Sequence, residues 1–307
     1  MDKIWLKNYP AGVPHEVHPE QYRSAAHMIE DAMRQHAGRP FSVCMEQWMG
    51  YAELDRQSAA LGAWLQGQGL APGARVAIML PNIPQFAVTM AAVLRAGYIC
   101  VNVNPLYTGR ELEHQLKDSG SSAIVILENF AHTLAEVIEH TGVQRVVMAS
   151  MGDLLGFWYG RWITFAVRHL AKMVPAYDLP LSAGRTLVTF RQALSDGARR
   201  TLTASSATLD DTAFLQYTGG TTGLSKGAVL THRNIVAATL QAEAWFTPAL
   251  AKMGDVTKAN SIAALPLYHI FALTLCLLAI RQGSHLTLIP NPRDIPKFVE
   301  VLKKRPF

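Results

Sequence analysis

Four short apolar runs, at residues 75–80, 98–103, 123–127 and 145–149, alternate with segments whose apolar residues recur every three or four positions. Such runs read as buried strands and the intervening period as helix. Strand–helix–strand alternation at this spacing demands a parallel sheet built from βαβ units. The fold class is therefore α/β, with parallel sheets flanked by helices in layers. The helical period is clearest at 51–68, where Leu54, Ser58, Leu61 and Leu65 share one face before Gly69 and Pro72-Gly73 turn the chain. Further helices are predicted at 21–36, 84–95, 109–117, 131–140, 233–245, 271–281 and 295–304. Strands are predicted at 41–45, 213–217, 228–230, 261–265 and 285–289. Residues 178–211 read as a loop-rich link between two α/β subdomains, 1–180 and 181–307. The first begins with a proline-rich arm.

The densest chemistry lies at 215–232, Leu-Gln-Tyr-Thr-Gly-Gly-Thr-Thr-Gly-Leu-Ser-Lys-Gly-Ala-Val-Leu-Thr-His. Gly219, Gly220 and Gly223 let backbone N–H groups turn toward a ligand with no Cβ in the way. Successive inward N–H groups form an anion-binding nest. Hydroxyls of Thr218, Thr221, Thr222 and Ser225 add neutral donors, and Lys226 adds a point charge. Together these are the parts of a polyphosphate cradle. Ser225 precedes Lys226 and Gly227 follows it, so the Walker A order fails. Gly223-Leu224-Ser225-Lys226-Gly227 does match the Gly-x-Ser-x-Gly elbow of a serine hydrolase, with Asp255 and His269 following in triad order. That elbow needs a helix after its last glycine, whereas residues 228–230 read as strand. An ordinary turn is the bland alternative, and turns seldom need so many glycines and hydroxyls together.

Residues 217–228 resemble the phosphate-binding signature of the acyl-adenylate-forming superfamily, which includes acyl-CoA synthetases, luciferases and peptide-synthetase adenylation domains. Residues 94–108, Leu-Arg-Ala-Gly-Tyr-Ile-Cys-Val-Asn-Val-Asn-Pro-Leu-Tyr-Thr, are similar to a second core motif of that superfamily. Residues 265–273, Leu-Pro-Leu-Tyr-His-Ile-Phe-Ala-Leu, look like the segment that lines its acyl pocket. Within the superfamily, residues 4–14 and 173–180 resemble bacterial long-chain fatty acid–CoA ligases.

The resemblance implies ATP-dependent activation of a long-chain fatty acid to an acyl-adenylate, then transfer to coenzyme A. Thr218, Gly219, Gly220, Thr221, Thr222, Gly223 and Ser225 would hold the phosphates, with Lys226 supplying charge. Such catalysis is mainly positioning and electrostatic stabilisation. His269 would sit beside the carboxylate and orient or polarise it, while Tyr268 and Phe271 line the acyl tunnel. A core histidine satisfied by backbone is the alternative for His269. Magnesium (Mg2+) would bridge the phosphates; no His or Cys ligand cluster points to a protein-held metal. The family's aromatic-Gly-x-Thr-Glu segment, ribose-holding aspartate, hinge and C-terminal lid with its lysine have no counterpart here. The expectation is thus the large N-terminal domain of a synthetase, incomplete at the C-terminus and inactive alone. A non-catalytic acyl- and nucleotide-binding half-protein or interaction module is the alternative of a different class.

Charge and composition narrow the partners. With 50% hydrophobic and 17% charged residues the chain is a folded one, and its +5 net charge comes without the dense Lys/Arg cluster of a nucleic-acid binder. Cys44, Cys100 and Cys276, odd in number and set among apolar residues, read as buried free thiols in a reducing compartment. No secretory signal opens the sequence, which points to the cytoplasm. Residues 262–280 lack charge, but Pro266 and Tyr268-His269 break the run into strand, loop and helix rather than a membrane span. At 154–174, a helix turning about 100° per residue puts Arg161, Arg168 and Lys172 on one stripe. Tyr159, Ile163, Ala166, Leu170 and Met173 lie opposite, with Trp158, Trp162 and Phe165 on the flanks. That pattern suits peripheral contact with the inner face of a membrane, the alternative being a helix docked on its own domain. A homodimer stays open.

Overall fold

The computed structural model describes residues 3–181, 184–218, 225–252, 254 and 259–305. Helix α1 (Ala25–Gln35) leads into the hairpin β1 (Pro40–Cys44) and β2 (Gln47–Gly50), whose turn holds Met45 and Glu46 at positive φ. Then come α2 (Tyr51–Gln66), β3 (Arg75–Met79), α3 (Pro84–Arg95), β4 (Ile99–Asn102), α4 (Gly109–Ser119), β5 (Ser121–Leu127), α5 (Ala131–Val137) and β6 (Arg145–Ala149). Helix α6 (Phe157–Phe165) continues into a π-helical turn, Ala166–Leu170. The remainder is β7 (Thr186–Thr189), α7 (Phe190–Gly197), β8 (Thr212–Thr218), β9 (Lys226–Thr231), α8 (His232–Ala251), β10 (Asn260–Ala263), α9 (Ile270–Gln282), β11 (His285–Leu288) and α10 (Ile295–Lys304).

The strands make two sheets. The larger has the order β7-β6-β5-β3-β4-β8-β9 and is parallel except for β9, which returns antiparallel beside β8. The smaller has the order β10-β11-β1-β2 and is parallel except for β2. Both sheets draw strands from either side of residue 180, so the predicted division into 1–180 and 181–307 does not follow the architecture. Ser42 of β1 pairs with Leu286 of β11, a partner that no local pattern announces. The link at 178–211 also carries β7 and α7, which the sequence reading missed. β7 is a four-residue, half-exposed edge strand, and α7 is only eight residues long.

Alternation along β3 explains the layers. Val76 and Ile78 face one core, shared with α1, α2, α3, α9 and the small sheet. Ala77 and Met79 face a second core beneath α4 and α5. All twelve residues of α3 are buried, because this helix lies inside the first core. At its end Arg95 ion-pairs with Glu30 at 3.1 Å and Asp55 at 2.9 Å, tying three helices together. The three cysteines are free and buried as predicted, and burial pushes the Cys44 and Cys276 thiols up to about 12. Residues 262–280 resolve into strand, loop and helix, and among the described residues no helix is long and apolar enough to cross a membrane.

His232, the first residue of α8, is buried and accepts a hydrogen bond from the Ala25 N–H through Nδ1 at 3.2 Å. Burial disfavours its imidazolium and lowers its pKa from 6.5 to about 4, with Asp211 opposing. In acid the unfolded chain takes up a proton that the folded one refuses. The stabilisation is therefore complete above the ordinary value and is lost as pH falls toward the folded one, by about 3 kcal/mol in all. Urea midpoints at pH 7 and pH 4.5 should differ less for His232→Asn, which keeps an acceptor but does not titrate. Equal pH dependence in the two proteins would contradict this account.

Candidate functional site

Parallel strands end together, and loops leaving their carboxyl ends form a crevice suited to ligands. Here those ends enclose a cavity of about 470 Å³ between the two sheets. Its walls are Pro81 and Asn82 after β3, Pro105 and Leu106 after β4, and Leu127 to Phe130 closing β5 without Glu128. Met151 after β6, Ala264 and Pro266 after β10 and Pro290 to Arg293 after β11 complete them, with Tyr268 and Met173. The wall is mainly apolar. Leu106 and Met173 line the cavity while being more than half exposed, which places them at its mouth.

Asn82 holds one side of this crevice. Its Nδ2 donates to the carbonyls of Ala263 at 2.8 Å and Leu265 at 2.9 Å, and its Oδ1 accepts from the Leu267 N–H at 2.8 Å. A chain of buried amides reaches the same segment from the large sheet. Gln115 donates to the Asn102 carbonyl at 2.8 Å, Asn102 Nδ2 to Gln216 Oε1 at 3.1 Å, and Gln216 Nε2 to the Tyr268 carbonyl at 2.9 Å. These amides were missed from the sequence. The signal was there: Asn102 and Gln216 are lone polar residues inside apolar strands, where burial is costly without partners.

Tyr268 lines the cavity. His269 is the N-cap of α9 and is exposed, not a core histidine. Its Nδ1 accepts from the Phe271 N–H at 3.3 Å. In the neutral ring the proton then lies on Nε2, which has no hydrogen bond to protein among the described residues. Phe271 departs from expectation. It is 66% exposed and does not line the cavity, because the first turn of α9 swings it outward.

β8 is parallel to β4, so Thr218 and Lys226, where the β8–β9 pairing ends, lie at the same end of the sheet as the cavity. Thr218 pairs with Lys226 at the last register position, and both side chains are exposed there. Gly219, Gly220, Thr221, Thr222 and Gly223 lie outside the described residues, as does Asp255. The ring of Tyr217 covers Gly227, where a Cβ would approach it to 2.9 Å. Tyr217 Oη donates to Asp118 at 2.6 Å, and burial together with that bond raises the phenol above its usual range. His114 Nε2 lies 2.9 Å from the Ser225 carbonyl and fixes the return strand to α4. Lys226 opens β9, so Ser225 enters a strand where a hydrolase elbow requires a helix. The serine hydrolase alternative therefore fails on geometry.

The arginine stripe of 154–174 is corrected too. The α-helical period holds only to Phe165, and the wider π turn resets its phase. Arg168, still exposed, reaches back over the surface to place its Nε 2.7 Å from the buried carboxylate of Glu128. Lys172 lies past the turn at positive φ.

The family model of AMP-binding enzymes matches residues 29–306. A long-chain-fatty-acid–CoA ligase of Escherichia coli O157:H7 is 48% identical over 309 residues, covering 100% of this chain and 54% of that protein. One of Bacillus subtilis (strain 168) is 30% identical over 311 residues, covering 99% and 53%. The chain thus spans about half the length of these curated relatives. The crystal structure of a long-chain-fatty-acid-CoA ligase from Archaeoglobus fulgidus superposes with a TM-score of 0.73 at 22% identity, over 96% of this chain and 52% of that one, a likeness of fold.

Proposed function

Because the chain belongs to the AMP-binding enzyme family, we propose that it carries the carboxylate-activating site of a long-chain fatty acid–CoA ligase. The observation that supports this reading is the shared location of Thr218, Lys226 and the apolar cavity at one end of the large sheet. A fatty acid whose tail fills the cavity would present its carboxylate near Tyr268 and His269. ATP gripped by Thr218, Ser225, Lys226 and the glycines and threonines between them would offer its α-phosphorus. The carboxylate oxygen attacks, pyrophosphate leaves, and an acyl-adenylate forms. Nε2–H of His269 would steady the carboxylate during attack, a positioning role. Among the described residues no three His, Cys, Asp or Glu side chains converge. Mg2+ would therefore ride chiefly on the phosphate oxygens, neutralising their charge. Coenzyme A would take the acyl group in a second step. Residues 154–174 would meet the membrane from which the fatty acid comes.

The chain is expected to bind a fluorescent ATP analogue, with Lys226→Ala weakening it about tenfold through loss of a charged donor. It is also expected to bind a fluorescent fatty acid that palmitate displaces. Palmitate-driven ATP–pyrophosphate exchange would show turnover, whereas binding of both ligands without exchange would select the non-catalytic half-protein. Failure to bind either ligand would overturn the proposal.

A further inference from the structure

The two ring nitrogens of His36, Nη1 of Arg39 and Nε of Arg281 are buried, and none has a hydrogen-bond partner among the described residues. All three residues line one open cavity of about 320 Å³, where α1 and α9 end beside α8. His36 follows the last turn of α1 and is only 7% exposed. The guanidinium of Arg39, just before β1, makes no hydrogen bond or ion pair with any described residue. Arg281 lies in the last turn of α9, with Nε 3.5 Å from a carboxylate oxygen of Glu243 on α8, an ion pair without a hydrogen bond. Buried donors are ordinarily satisfied, and leaving a charged one without a partner is the most costly case.

Charge and donor type say what would complete this cavity. Arg39 and Arg281 face it against the single carboxylate of Glu243, so its balance is positive. Burial, joined by the charges of both arginines, lowers the pKa of His36, with the Arg281 carbonyl opposing. At neutral pH the ring is therefore uncharged and contributes an N–H rather than a charge. A cationic ligand would meet an uncompensated Arg39, and an apolar one would leave every donor unpaired. Water accepts from N–H groups but brings no charge. A phosphate group brings negative charge and three strongly accepting oxygens, and guanidinium forks fit those oxygens.

We propose that this cavity is a second anion site, binding a phosphate group between Arg39, Arg281 and a ring N–H of His36. It is separate from the crevice described above. Helix α9 begins beside His269 and runs thirteen residues, about 20 Å, before it reaches this cavity. Its last turn leads into the amino end of β11, whereas the crevice lies at the carboxyl ends of the strands. A phosphate held here ties the ends of α1 and α9 to α8, the helix that follows β9. The helices behind Lys226 and His269 are thereby fixed to one another from the far side. A water's share of liquid is about 30 Å³, so inorganic phosphate leaves space in the cavity for a small substituent. Free phosphate and a phosphomonoester share the same recognition chemistry.

The test titrates the full chain, carrying isotope-labelled arginine, with inorganic phosphate and separately with glycerol phosphate, chloride holding the ionic strength constant. The Nε–H resonances of Arg39 and Arg281, assigned through Arg39→Lys and Arg281→Lys, are expected to shift and to saturate. Arg39→Ala weakens binding about tenfold, read from the Arg281 resonance. It leaves the urea midpoint in phosphate-free buffer unchanged, because Arg39 has no protein partner to lose. Glu243→Gln strengthens binding several-fold, since the carboxylate that lines the cavity no longer opposes the anion. A purely structural Arg281–Glu243 pair would give no such gain. Lys226→Ala leaves the response of both arginines intact. Tighter binding of glycerol phosphate than of inorganic phosphate assigns the site to a phosphorylated small molecule, and the reverse order to free phosphate. Resonances that stay still, or that drift with chloride as they do with phosphate, overturn the proposal. So does a response that Lys226→Ala abolishes and Arg39→Ala does not.

Discussion

Asn82→Ala is expected to lower the unfolding free energy by about 4 kcal/mol and to abolish binding of a fluorescent fatty acid. The side chain is buried and makes three hydrogen bonds, to two carbonyls and one N–H of the segment 263–267. Alanine removes all three, leaving those backbone groups without partners where water is scarce. Each such loss costs about 1–3 kcal/mol, and domains of this kind hold only about 5–15 kcal/mol in reserve. The effect should exceed simple destabilisation, because the clamp sets the position of Tyr268 and hence of the cavity wall. Asn82→Asp sharpens the test. One oxygen can still accept from Leu267, but the other places negative charge against two carbonyls. Its pKa would rise in the folded state, so the variant should be weakest at neutral pH and regain stability as pH falls. A cost for Asn82→Ala below about 1 kcal/mol in urea unfolding would show that the segment holds its shape without the clamp.

Gly197→Ala is expected to cost about 3 kcal/mol or more. Its Cβ would lie 1.8 Å from the Ala60 carbonyl oxygen and 2.7 Å from the carbonyl carbon, so backbone meets backbone and no rotamer relieves the overlap. Helix α7 would have to lift from α2, opening the core around Phe190, Leu194, Leu61 and Trp64. Gly67→Ala is the informative control. Its nearest atom is closer still, at 1.7 Å, but that atom is the Nη1 of Arg200, the tip of a side chain that can swing away. Residue 67 also has an ordinary helical φ of −74°. Its change should stay within about 1 kcal/mol, since Ala favours the helix end over Gly. If the two variants unfolded at the same denaturant concentration, the close contact of α7 on α2 would not be what demands glycine at 197.

The candidate site was partly legible before any fold was known. The glycine–threonine stretch stands out because a phosphate nest would need particular residue types in consecutive order, a property of the chain alone. Tyr268 and His269 came from a similarly compact motif. Asn82 and His114 did not, since each matters through a partner far away in sequence: Asn82 through residues 263–267, His114 through Ser225. Phe271 and Arg168 show the opposite failure. The motif resemblance put Phe271 in the tunnel and the helical period put Arg168 on a free basic stripe, but the first turn of α9 leaves Phe271 exposed and Arg168 pairs with Glu128.

What the chain determined alone is therefore what depends on neighbours in sequence. The period of apolar residues places β3 to β6, α2 and α3, because burying one face is a local demand of each strand or helix. The motif at 217–228 likewise places the chain in its family. Only the tertiary structure decided that β1 pairs with β11, that both sheets draw on both halves of the chain, and that Glu128 takes Arg168 out of the basic stripe. Those are choices of partner across long separations, made by which backbone edges and buried charges find each other once the core has formed. The local sequence leaves such choices open, because unpaired strands and buried carboxylates need satisfying but carry no record of by whom.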